Sequence, residues 1–155
     1  MSNIYVGVIG GSTVSDEVFA LAEVLGELLA KENAVVVCGG RTGVMTAVCK
    51  GAKSYGGTTI GILPSQTKEQ ANEFIDYAIA TGIGIARNMV IINTADVLIA
   101  VDGAHGTLSE IALALNSGKK VIALHSKWSG IEGVIKVETA EEAVKTALCI
   151  VNKCR

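Results

Sequence analysis

Three glycine-rich stretches are the residues of this chain best suited to chemistry: Gly10-Gly11-Ser12-Thr13, Gly39-Gly40-Arg41-Thr42-Gly43 and Asp102-Gly103-Ala104-His105-Gly106-Thr107. A glycine-rich turn ahead of a helix aims backbone N–H groups and the positive end of the helix dipole at one region, with no side chain to hold an anion away. One such turn is equally a plain connection. Three of them favour a phosphate or carboxylate pocket, with Gly10, Gly11, Ser12, Gly39, Gly40, Arg41, Gly43, Gly103, Ala104, His105, Gly106 and Thr107 as its expected ligand-binding residues. Arg41, inside a glycine loop, suits a phosphate better than a surface ion pair. Asp102 works the other way: its negative charge beside the cradle opposes an anion unless it is protonated or turned aside.

Two charged residues each admit two readings. Thr107-Leu108-Ser109-Glu110 has the form of a capping box, in which Glu110 only starts a helix; alternatively its carboxylate projects into the pocket and stabilises a sugar cation or holds ribose hydroxyls. Arg87 is either an ordinary exposed helix residue or a cation at the pocket mouth. His105 and His125 fall in loops near strand ends, where a solvated histidine is the ordinary case, so neither is assigned as acid or base.

The elements that must position these residues alternate. Short β-branched runs span Ile4–Ile9, Ala34–Val37, Thr58–Leu63, Ile75–Ala80, Asp96–Val101 and Lys120–Leu124, and helical spacing spans Glu17–Lys31, Val44–Ser54, Ile85–Thr94, Leu108–Asn116 and Ala140–Asn152. Near-continuous apolar strands alternating with helices predict an α/β fold: one domain over 1–155 with a doubly wound, Rossmann-like parallel sheet of six to seven strands buried on both faces. Ligands of such sheets sit outside the carboxyl ends of the strands where the strand order reverses, which is where the turns fall. The dinucleotide version is excluded. It requires G-x-G-x-x-G after the first strand and an acid closing the second, whereas Cys38 and Gly39 stand there. The polar stretch Ser65–Phe74 reads as a loop or lid over the site. The helix Ile85–Thr94 is apolar nearly all round, so Met89, Val90 and Ile92 are expected to pack against a second copy of the chain.

Composition narrows the function further. Half the residues are hydrophobic, 18% are charged, and 18 glycines stand against one proline, so aliphatic strands, tight turns and close backbone approaches dominate. A net charge of −2 without a Lys/Arg cluster gives no nucleic-acid footprint. No membrane-length apolar run and no leader pattern occur, which makes the cytoplasm the expected location. Cys38, Cys49, Cys149 and Cys154 lack metal-ligand spacing and are expected to be small buried hydrophobes, with no metal assigned.

Taken together, Gly39–Met45, Lys50–Lys53 with Gly57–Pro64, and Gly103–Glu110 resemble one superfamily, which holds the LONELY GUY (LOG) cytokinin-activating phosphoribohydrolases and the molybdenum-cofactor carrier proteins. The likeness runs from about Val6 to Leu124. The Gly-Gly-Arg turn and Thr81–Asn88 are more similar to the short carrier-protein branch. The resemblance implies that Arg87 and Glu110, 110 − 87 = 23 residues apart, correspond to the essential arginine and glutamate of the LOG enzymes. Two departures stand out: Asp102-Gly103-Ala104 replaces Pro-Gly-Gly, and Asn88 replaces a common lysine. An older lysine decarboxylase label for some relatives is set aside, because no lysine is placed to face the turns. Two functions stay open. One is cleavage of the N-glycosidic bond of a nucleoside 5′-monophosphate, with no cofactor required; the other is carriage of the molybdenum cofactor without catalysis. Both imply a phosphorylated small-molecule partner, and the resemblance implies a homodimer or homotetramer; from charge and apolar pattern, neither nucleic acid nor membrane is expected as a partner.

Overall fold

The computed structural model describes residues 2–153. In chain order the elements are β1 (Tyr5–Gly10), α1 (Asp16–Lys31), β2 (Val35–Cys38), α2 (Val44–Ser54), β3 (Thr59–Leu63), β4 (Tyr77–Ala80), a 3₁₀ turn (Gly84–Ala86), α3 (Arg87–Thr94), β5 (Val97–Val101), α4 (His105–Asn116), β6 (Val121–Leu124), β7 (Val134–Val137) and α5 (Ala140–Lys153). All seven strands pair in parallel in the order β4-β3-β2-β1-β5-β6-β7. The direction of winding therefore reverses between β1 and β5. Those two strands, with β2 and β6, are aliphatic runs with both faces buried or nearly so, and each face grows its own core. Leu25, Leu29, Val48 and Ala147 from α1, α2 and α5 cover one face, and Ile91, Ile92, Ile111 and Ala114 from α3 and α4 cover the other.

Helices α1 and α2 cross unusually closely, and two helical glycines are the reason. A Cβ on Gly26 would stand 2.0 Å from the Val48 carbonyl oxygen, and one on Gly51 would stand 1.8 Å from that of Glu23. Glycine density in this chain thus serves helix packing as well as turns and ligand approach.

Several sequence expectations are corrected. The four-residue β7 was not among the strands read from the sequence. Strand β4 lies at an edge with Tyr77 and Ile79 exposed, so burial on both faces does not extend to it. Helix α4 begins at His105 rather than Leu108, which puts Thr107 in its first turn and Glu110 in the second; the capping box does not form. Within α3, Ile92 is fully buried in the chain's own core and is not free for a second copy, whereas Met89 and Val90 pack against that core and are only partly buried; Ile83 and Ile85 just ahead of the helix are exposed. Cys38 and Cys49 are buried as expected, Cys149 is exposed, and Cys154 lies outside the described residues. Among the described residues no helix is long and apolar enough to cross a membrane.

Candidate functional site

A cleft of about 650 Å³ opens at the carboxyl ends of β1, β2 and β5, on the strand-order reversal. The turns that form it play unequal parts. The first, Gly10–Thr13, rests on the second: the Gly11 carbonyl accepts from Val44 N–H at 3.0 Å and the Ser12 carbonyl from Thr42 Oγ1 at 2.9 Å. That contact uses the leading amide of α2. Gly43, at φ +62°, permits it, since a Cβ there would stand 2.2 Å from the Gly11 oxygen. Helix α1 is likewise closed, because Ser15 Oγ accepts from Val18 N–H at 3.2 Å. Helix α4 differs. Its N-cap, Ala104, offers no side-chain acceptor, and the turn into it runs through Asp102 at φ +53° and Gly103 at φ +105°. The amides that open α4 are therefore the ones left for an anion.

The expected site residues divide accordingly. Gly10, Gly11, Ser12, Gly39, Arg41, Arg87, Gly103, Ala104, Gly106, Thr107 and Glu110 line the cleft together. Gly40, Gly43 and His105 do not line it. Gly40 backs against Gly61 and donates its N–H to Cys38 Sγ at 3.3 Å, so it shapes the turn from behind. The His105 ring lies 6.2 Å from that of Trp128, whose Nε1 donates to the Ala104 carbonyl at 3.1 Å and braces the lip of the cradle. The segment 65–74 is a loop but not a lid: none of it lines the cleft, and Asn72 ties it to the outside of the second turn through the Gly40 and Arg41 carbonyls.

Arg87 opens α3 and acts first as a strut. Its Nη1 donates to the carbonyls of Gly39 at 2.7 Å and Ile62 at 2.6 Å, and its Nε donates to Oδ1 of buried Asn88 at 2.8 Å. Burial lowers its pKa, an effect that the nearby Glu110 charge opposes. Burial in turn pushes the Glu110 carboxyl up to about 7, with Arg87 pulling it down. The site thus holds a proton-exchanging acid near neutrality beside a fixed cation.

Sequence reading missed three contributors. Asn88, which the sequence set aside as a departure, is the residue that orients Arg87. Met45 packs its sulfur behind Gly39. Lys127 lines the cleft from the loop after β6, which corrects the expectation that no lysine faces the turns; its place just past a strand end was the available signal. Lys127 and Asp102 also line a neighbouring cavity of about 350 Å³ at the ends of β6 and β7.

With that geometry in view, the comparisons with known proteins are informative. The molybdenum cofactor binding protein of Rippkaea orientalis is 35% identical and superposes with a TM-score of 0.92, covering 97% of this chain and 99% of that one. The Moco carrier protein of Chlamydomonas reinhardtii is 30% identical with a TM-score of 0.90 over 98% and 99% of the two chains. A cytokinin riboside 5′-monophosphate phosphoribohydrolase of Mycobacterium tuberculosis is 29% identical over 126 residues, 76% of this chain and 67% of that protein. The likeness therefore extends both to molybdenum cofactor binding and carrier proteins and to a phosphoribohydrolase. A family model matches residues 3–153, nearly the whole sequence, and on that match the chain belongs to the SLOG cluster4 family.

Proposed function

We propose that the cleft binds a phosphate-bearing small molecule and that the chain serves as a carrier of the molybdenum cofactor. The observation that carries the binding half is the uncapped start of α4 opening into a cleft that also holds Arg41, Arg87 and Lys127. A phosphate there would accept from the amides around Gly106 and Thr107, with the three cations as its counter-charge. The space suits such a ligand: a Cβ added at Gly106 would meet nothing within 4 Å, and the volume falls in the range of small-molecule sites. The carrier half is supported by near full-length likeness to the Rippkaea and Chlamydomonas proteins. Its test is to load the protein with molybdenum cofactor, pass it through gel filtration and offer it to a cofactor-free molybdoenzyme. Retention and reconstitution are the expected result; loss of the cofactor on the column defeats the carrier reading.

One observation favours a second reading. Glu110 sits in the cleft near Arg87 with its proton available near neutrality, which is the equipment for stabilising a sugar cation and positioning water during N-glycosidic cleavage. Release of free base from AMP or related nucleotides, abolished by Glu110→Ala, would establish it. We further infer that the chain works as a homo-oligomer, joined at the apolar edge formed by β4 and Ile83–Ile85.

A further inference from the structure

Behind the second turn lies a feature that the ligand cleft does not use. Cys38 closes β2, Cys49 sits in the middle of α2, and their Sγ atoms are 3.6 Å apart in the core, both residues without solvent exposure. Two thiols at that separation can be joined by a rotation and a small approach, because the bonded distance is about 2.05 Å. Their position gives the pair its meaning. Cys38 directly precedes Gly39, whose carbonyl holds Arg87, and Cys38 Sγ accepts the Gly40 N–H that fixes the turn. Gly39, next to Cys38 in the chain, lines the cleft together with Met45 and Arg87, whose side chains close on it.

We propose that Cys38 and Cys49 form a peroxide-sensitive dithiol whose oxidation to a disulfide weakens ligand binding by displacing the Gly39–Gly40 turn. The coupling half rests on the cleft being the ligand site; the disulfide half does not. The roles of the two sulfurs differ. The contact with Cys49, the Gly40 N–H and the Arg87 charge together hold the Cys38 thiol below its ordinary range despite burial, whereas the same contact and burial push Cys49 up. Cys38, the sulfur that accepts a backbone N–H and adjoins the cleft turn, takes the part of the nucleophile. Its thiolate attacks one oxygen of hydrogen peroxide, the O–O bond breaks, and the product is a sulfenic acid with loss of hydroxide, which takes up a proton to become water. Cys49 then attacks the sulfenic sulfur, the S–S bond forms, its thiol proton leaves with the hydroxyl as a second water, and peroxide has been reduced by two electrons. Helix α2 is clamped to α1 at Gly51, so the approach falls on Cys38 and the Gly40 N–H loses its acceptor.

The experiment uses the full chain carrying Cys149→Ser and Cys154→Ser, treated with hydrogen peroxide. Tryptic mass spectrometry is expected to find the peptide ending at Arg41 linked to the one ending at Lys50, two hydrogens lighter than their sum. AMP affinity by calorimetry should fall about tenfold, within the usual range of site coupling, and return with dithiothreitol. Adding Cys38→Ser, which removes the attacking sulfur, should make AMP binding insensitive to peroxide; adding Cys49→Ser should stop the reaction at a Cys38 sulfenic acid with no linked pair, and supplies the second test should the first variant fail to fold. Absence of the linked pair while Met45 on the second peptide is oxidised overturns the proposal, as does a linked pair with unchanged affinity. If the reduced protein binds neither AMP nor inorganic phosphate, the ligand reading of the cleft has failed instead. Hydrogen exchange at 39–43, expected to rise on oxidation, then decides the coupling, and unchanged exchange overturns it.

Discussion

Glu110 shows how a single residue can make the cleft sensitive to pH. Its carboxyl rises from an ordinary 4.5 to about 7 because burial disfavours the charge more than Arg87 favours it. The sign follows from which form the fold prefers. The protonated acid is tolerated, so its full contribution to stability is present below about pH 4.5 and is lost as pH rises through about 7. Above 7 the same carboxylate also repels a bound phosphate. Affinity for AMP should therefore fall between pH 6 and 8 more steeply in the native chain than in Glu110→Gln, the comparison removing the phosphate's own titration. At pH 8 the variant should be more stable in urea by about 1–2 kcal/mol, discounted for the partial exposure of the group. A flat difference in both readouts would show that the carboxyl is not buried as described. Gly106 separates binding from stability in the opposite way. It lies inside α4 with open space around it, so Gly106→Ala should raise stability by about 0.5–1 kcal/mol through helix propensity while its methyl obstructs the ligand. Melting and calorimetry on one sample check both signs. These residues were largely legible in the sequence, because glycine clusters at strand ends advertise themselves. Sequence did not reveal that Gly40 and Gly43 shape the turn without lining the cleft, since that depends on which backbone backs onto which.

Helices and strands were legible where the apolar runs were long. β3, β5 and β6 lie within the expected runs, and β1 and β2 each extend one residue beyond theirs, to Gly10 and Cys38, because a buried parallel strand leaves an uninterrupted β-branched signature. β7 was missed because it is four residues long, half exposed and carries Lys136, so it has no such run. The start of α4 was missed for a different reason: Ala104-His105-Gly106 looks like loop in sequence, and the bond from Trp128 to the Ala104 carbonyl that braces this entry joins residues 24 apart. The crossing of α1 and α2 was also invisible, although it makes a firm prediction. Gly51→Ala would drive a methyl into the Glu23 carbonyl at 1.8 Å, with the Glu27 nitrogen 3.0 Å away, so the helices must separate. The expected loss is about 2–4 kcal/mol in urea unfolding despite alanine's better helix propensity. A neutral or stabilising result would mean that the two helices pack less closely than described.

At the scale of the molecule, the two edges of the sheet are built differently. β7 is guarded by Lys136, exposed and paired with Glu138 at 3.5 Å, which is how a sheet edge is kept from pairing with others. β4 has no such guard. Tyr77 is 64% exposed and Ile79 47%, on the same side of the strand, and Ile83 and Ile85 continue the apolar surface at 51% and 75%. Ile85 also lines the cleft, so whatever covers this edge also closes part of the ligand site. A second copy of the chain is the economical cover, since two such edges related by a two-fold axis are self-complementary. Sedimentation velocity at micromolar concentration should then give a dimer or a larger even assembly. Ile79→Lys should shift it toward monomer without lowering the melting temperature measured in the dilute limit, because Ile79 contributes little to the chain's own core. If the contact also completes the cleft, the same variant should bind AMP more weakly although residue 79 is not among the lining residues. A native chain that sediments as a monomer throughout this range, or a monomeric variant with undiminished affinity, would separate the edge from the site.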